Sequence, residues 1–113
     1  MQSRLGSNRE IRKLPEYLWE GELVTHLVSG VYGPGLGLVV LTNRRLLFVK
    51  NGWLSKLTES FPLDKISSVQ WSEGVISGKL IVFSSGNKAE ISQVPRPDGK
   101  KIADTLNNIL NGS

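Results

Sequence analysis

The chain has 113 residues, no cysteine, 14 Lys and Arg against 10 Asp and Glu, and a formal net charge of +4. That length fits one domain, and the missing thiols exclude disulfides and thiolate metal sites, so packing must supply the stability. No apolar run approaches the ~20 residues that cross a bilayer as a helix, and the basic start from Arg4 to Lys13 lacks the apolar core of a secretory signal.

Taken in chain order, residues 1–13 read as a partly flexible N-terminal extension, and 14–113 as the folded domain. Asn8 can cap a short helix reaching towards Glu16; because Pro15 strains a helix interior, one or two turns or a helix broken near Leu14 is expected. Leu14, Leu18 and Trp19 supply an apolar patch to dock it. Glu22 to Tyr32 has strand propensity, and Gly33-Pro34-Gly35 interrupts it sharply. From Leu36 to Val49, two short apolar runs flank Thr42-Asn43-Arg44-Arg45, which predicts a hairpin with largely buried arms. Asn51-Gly52 is a strong turn signal, and a fourth strand runs from Leu57 to Phe61 until Pro62 ends it. The fifth strand is Ile66 to Ser72, the sixth Lys79 to Ser84, and Ser85-Gly86-Asn87 turns into the seventh, Lys88 to Val94. The period then changes. Pro97 and Asp98 suit a helix start, and Ile102, Leu106, Ile109 and Leu110 form an amphipathic stripe.

Short twisted strands joined by tight turns curl into a barrel or two packed sheets, and one amphipathic helix can close an open end. This order resembles the bacterial pleckstrin-homology-like (PH-like) family of the YokE-like kind. Three stretches carry the resemblance: the hairpin Leu41 to Phe48, the connection Phe61 to Val69, and the Gly-turned hairpin Gly78 to Val94 leading into the helix. It spans roughly Leu14 to Leu110. It implies a mainly β fold: a barrel of about seven antiparallel strands in two roughly orthogonal sheets, a C-terminal helix as cap, and a short N-terminal helix. It also implies a binding or scaffold role more than an activity. Phosphoinositide-binding PH domains gather Lys and Arg at the first hairpin loop, where phosphates need converging donors. Here that loop, Val31 to Gly37, holds no base, so a phosphoinositide is not expected.

No residue set points to catalysis. Gly33 to Gly37 lies between strands and lacks the Lys-Ser/Thr of a phosphate loop, so it reads as a turn. His26 is the one histidine and has no predicted partner for a metal site. Glu20, Glu22, Glu59, Asp64 and Glu73 read as solvated carboxylates, since no spacing pairs two of them. No cofactor, metal or enzymatic activity is expected. The candidate contacts for a partner or an anionic surface are Arg44, Arg45, Lys50, Trp53, Leu54 and Lys56, in a stretch with four bases and no acid. Solubility is the plainer role for the arginines, and a lid over the barrel the plainer one for Trp53.

The reading that follows is a non-enzymatic binding or scaffold module of a bacterial cytoplasm. Its partner would be a protein or a second copy, met through an exposed strand edge. The alternative is peripheral binding to an anionic membrane through Trp53, Leu54 and the surrounding bases. Nucleic acid ranks low, because Trp19, Trp53 and Trp71 fall on separate elements.

Overall fold

A computed structural model describes residues 8–33, 35–51 and 56–112. A short helix α1 (Asn8–Lys13) runs into a 3-10 turn (Leu14–Glu16). Seven strands follow: β1 (Val24–Tyr32), β2 (Gly35–Thr42), β3 (Arg45–Asn51), β4 (Lys56–Pro62), β5 (Ile66–Glu73), β6 (Ser77–Ser84) and β7 (Asn87–Pro95). The helix α2 (Arg96–Leu110) ends the order. The N-terminal helix breaks at Leu14, next to Pro15, as the proline requires.

The strands pair antiparallel in the order β4-β3-β2-β1-β7-β6-β5. The two sheets anticipated from the resemblance are thus one continuous sheet with a narrow seam. β1 pairs with β2 along its whole length, but with β7 only through Val31↔Ser92 and Tyr32↔Ile91. Inward side chains from all seven strands nevertheless share one core with α2, including Val28, Leu41, Phe48, Phe61, Val69, Leu80 and Ile91. One sheet can supply a common core from all its strands only by curling around it.

Local chemistry sets the turns. Ser85 and Gly86 both take positive φ (54° and 81°), the backbone of a two-residue I′ hairpin loop. Pro62 is the last residue of β4, where its missing N–H costs least.

The α2 stripe sits slightly off the expected face. Gly99, Ile102, Ala103 and Leu106 are buried, whereas Ile109 is 40% exposed. Trp71 of β5 meets this face near the start of the helix. Its ring lies against Gly99 of α2 and Gly78 of β6, so closely that a Cβ on either glycine would strike it. The buried face is centred on Gly99, Ile102, Ala103 and Leu106, and Ile109, in the last turn, lies at its edge.

A second cluster covers the opposite face of β2 and β3. Leu38, Val40, Leu47 and Val49 are buried there with Leu14, and Ile11, Tyr17, Leu18 and Leu27 pack against them. These two strands are thus buried on both faces, which is why their sequence reads as continuous apolar runs rather than alternating ones.

Candidate functional site

The β2–β3 turn was expected to present Arg44 and Arg45 together. They part company. Arg44 is exposed, but Arg45 is 4% exposed and points into the fold. Its Nε and Nη2 donate to Glu22 Oε2 (2.8 Å) and Oε1 (3.0 Å), a two-pronged ion pair. Nη2 also donates to the Tyr17 carbonyl at 2.7 Å, and Nη1 to Ser60 Oγ at 3.2 Å. The Trp19 ring stacks on the guanidinium, 3.8 Å from Cζ to the ring centroid. Arg45 is therefore a structural clamp and takes no part in a surface contact.

Glu22, expected to be solvated, is the other half of that clamp. It accepts from Thr42 Oγ1 at 2.6 Å and from the Trp19 amide at 2.8 Å. Burial pushes its carboxyl up, but hydrogen bonds from Arg45, Thr42 and the Trp19 amide, together with the Arg45 charge, outweigh this and hold it at about 2. The turn is sewn further by Asn43, whose amide donates to the Leu23 carbonyl (3.0 Å) while its Oδ1 accepts from the Leu23 amide (2.8 Å).

The remaining candidates do not form one patch. Arg44 lies just before β3 and Lys50 near its far end, about 20 Å away at ~3.3 Å per residue. Lys56 opens β4 beside the Lys50 end and is exposed. Trp53 and Leu54 lie outside the described residues. His26 is half-buried in β1, with its Nδ1 3.0 Å from Thr25 Oγ1.

The surface most available for contact is elsewhere. Among the described residues, β4 and β5 are the two strands with an unpaired edge. β4 carries devices that discourage edge pairing: Lys56, Glu59 and a terminal Pro62. β5 carries no Lys, Arg or Pro; Ser67, Ser68, Gln70 and Ser72 are exposed, and Glu73 closes it. Beyond Glu73 the turn projects Val75 and Ile76, 88% and 86% exposed.

That apolar tip is held in place. Gly74 N–H donates to the Ser77 carbonyl at 2.9 Å. Arg96, at the start of α2, donates through Nη1 to the Val75 carbonyl (2.7 Å) and through Nη2 to Glu73 Oε2 (2.8 Å). The Trp71 indole N–H donates to Glu73 Oε1 at 3.2 Å. These donors and the Arg96 charge hold the exposed Glu73 carboxyl below its ordinary value. Beside the tip, Glu73, Ile76, Arg96, Pro97 and Lys100 line a shallow cavity of about 340 Å³. The sequence did carry a signal for the tip: two aliphatic residues inside a Gly-bounded turn, where polar residues normally stand.

The arrangement contains a backbone template, an apolar anchor and a groove beside a helix. Those are elements of recognition. Among the described residues, no three or more His, Cys, Asp and Glu side chains converge as metal ligands, and no helix is long and apolar enough to cross a membrane.

Solved structures with this fold include the Vps36 N-terminal PH domain (TM-score 0.62, 21% identity, covering 84% of this chain and 83% of that one). Another is a duf1696 family protein with a pleckstrin-homology domain from Shewanella loihica PV-4 (TM-score 0.59, 17% identity, 95% and 99% covered). A third is a pleckstrin-homology domain from Shewanella amazonensis SB2B (TM-score 0.57, 19% identity, 93% and 88% covered). No curated protein matches the sequence significantly. The bacterial PH domain family matches residues 18–108. PH domains are in general non-catalytic modules that bind or scaffold. With its curled seven-stranded sheet, its capping helix and most of its length inside that match, the chain belongs to the bacterial PH domain family.

Proposed function

We propose that this domain, of the YokE-like kind, is a cytoplasmic protein-binding module that takes an extended segment of a partner along the free edge of β5. The observation that carries the reading is the contrast between edges: β4 carries Lys56, Glu59 and Pro62, whereas β5 carries one charge, Glu73, and no proline, with a register slip confined to Ile66–Ser68 at its start. A strand laid on β5 gains main-chain hydrogen bonds, and alternate side chains of that strand supply specificity. Val75 and Ile76, at the end of the same edge, offer an apolar anchor whose backbone is already fixed by Arg96, so little ordering is needed on binding. The net charge of +4 favours an acidic partner.

The test is a photo-crosslinking residue placed at Gln70 on β5 or, as control, at Thr58 on β4, in cells that express the protein natively. A crosslinked partner from position 70 that is absent from position 58 supports the reading. Equal capture at both positions, or none at position 70, defeats it. A crosslinked homodimer from position 70, matched by a concentration-dependent mass in light scattering, would identify a second copy as the occupant of the edge.

A further inference from the structure

β4 places Leu57, Glu59 and Phe61 on one face, because alternate residues of a strand share a side. Leu57 and Phe61 belong to the core face. Glu59 is therefore a half-buried carboxylate between two apolar neighbours, turned towards the interior of the curled sheet. It borders a cavity of about 340 Å³ between β4 and the β6–β7 turn, lined also by Tyr32, Phe61, Ser85, Asn87 and Lys88.

The cavity has an aromatic wall. The Tyr32 ring stands 5.4 Å from Phe48 and meets Phe61 edge-on at 6.4 Å. Burial, the Glu59 charge and a hydrogen bond to its carboxylate push the Tyr32 phenol above its ordinary value, which places the carboxylate beside that ring.

The cation on the rim is committed elsewhere. Among the described residues, no Lys or Arg forms an ion pair with Glu59. Lys88, on the rim, pairs with Glu90 at 3.1 Å. Lys50 extends across Gly35 of β2, which lies on the far side of β3 from β4.

A carboxylate beside aromatic rings in a partly desolvated pocket is chemistry that can hold an ammonium or guanidinium group. We propose that this cavity binds an organic cation, with Glu59 as counter-ion and Tyr32 and Phe61 as its apolar wall. The site is separate from the β5 edge, so either reading stands if the other fails. A free amine and the basic side chain of a protein present the same head group, and the experiment separates them.

The experiment is an NMR titration of the full chain with agmatine, with the tripeptide Gly-Arg-Gly, and with inorganic phosphate as the anionic control. Saturable shifts centred on Tyr32, Glu59 and Lys88 are expected with a cationic probe and not with phosphate. Shifts with agmatine indicate a free amine as ligand; shifts with the tripeptide alone indicate a protein side chain. Glu59→Gln should weaken binding about tenfold or more, while Glu59→Asp, which keeps the charge, should retain most of it. Thermal unfolding of both variants reports whether the fold is intact. No saturable shift with either cation, an undiminished affinity in a folded Glu59→Gln variant, or shifts with phosphate in their place would overturn the proposal.

Discussion

The β2–β3 hairpin and the β5–β6 hairpin belong to the same sheet and have similar lengths, yet they are built for different ends. β2 and β3 are buried on both faces, and their turn is locked by Glu22, Thr42 and Arg45. β5 and β6 bury one face; β5 leaves an edge bare, and their turn lifts two aliphatic side chains into solvent. The first region holds the molecule together. The second is fixed in shape and leaves two aliphatic side chains uncovered, as the proposed recognition of a partner requires.

The strongest way to break this contrast is at the clamp. Arg45→Ala leaves the Glu22 carboxylate buried and uncompensated, and should cost about 3–5 kcal/mol in urea unfolding. Arg44→Ala, at the exposed neighbour, should stay within about 0.5 kcal/mol. Equal effects from the two would refute the assignment. The clamp also has a pH signature. Because Glu22 is held at about 2 against an ordinary 4.5, its contribution is complete above pH 4.5 and is lost as pH falls from there towards 2. Glu22→Gln should flatten that part of the stability curve.

A smaller effect is expected where α2 meets β5. Gly99→Ala raises helix propensity yet drives a methyl into the Trp71 ring, so the net change should be a loss of about 1–3 kcal/mol, read as a lowered Tm. A gain would mean that the ring moves aside freely. Smaller still is Gln93, which has φ of 54° where the β6–β7 register slips between Gly78 and Leu80. Gln93→Gly removes the steric cost of that left-handed backbone and should be neutral, or stabilising by up to about 1 kcal/mol.

The smallest change in stability should come from the tip itself. Val75→Ser combined with Ile76→Ser should alter unfolding by less than about 0.5 kcal/mol, because neither side chain is covered. The same pair should abolish crosslinking through position 70. A large stability loss, or undisturbed crosslinking, would erase the distinction between the two hairpins.

Local rules made much of this fold legible. Turn residues and apolar periodicity located the seven strands and the terminal helix, since those features act over a few residues. The break beside Pro15 and the Ser85-Gly86 turn were readable for the same reason. Long-range chemistry was not. Nothing local distinguishes Arg45 from Arg44; the difference is a carboxylate 23 residues earlier, brought alongside by the pairing of β1 with β2. Ile109 fits a helical stripe as well as Leu106 does, yet it lies at the edge of the face that Gly99, Ile102, Ala103 and Leu106 bury. The bases of the β2–β3 turn and the start of β4 looked like a patch because a sequence does not display the length of the strand between them. The bare edge of β5 is likewise a property of strand order, which composition does not encode.

The seam between β1 and β7 bears on how the sheet is held closed. Two backbone rungs join its halves there. Ile102, Ala103 and Leu106 enter the interior that both halves share. The fifteen-residue helix α2 therefore acts as a brace across the seam, supplying through side chains the cohesion that backbone pairing supplies elsewhere in the sheet.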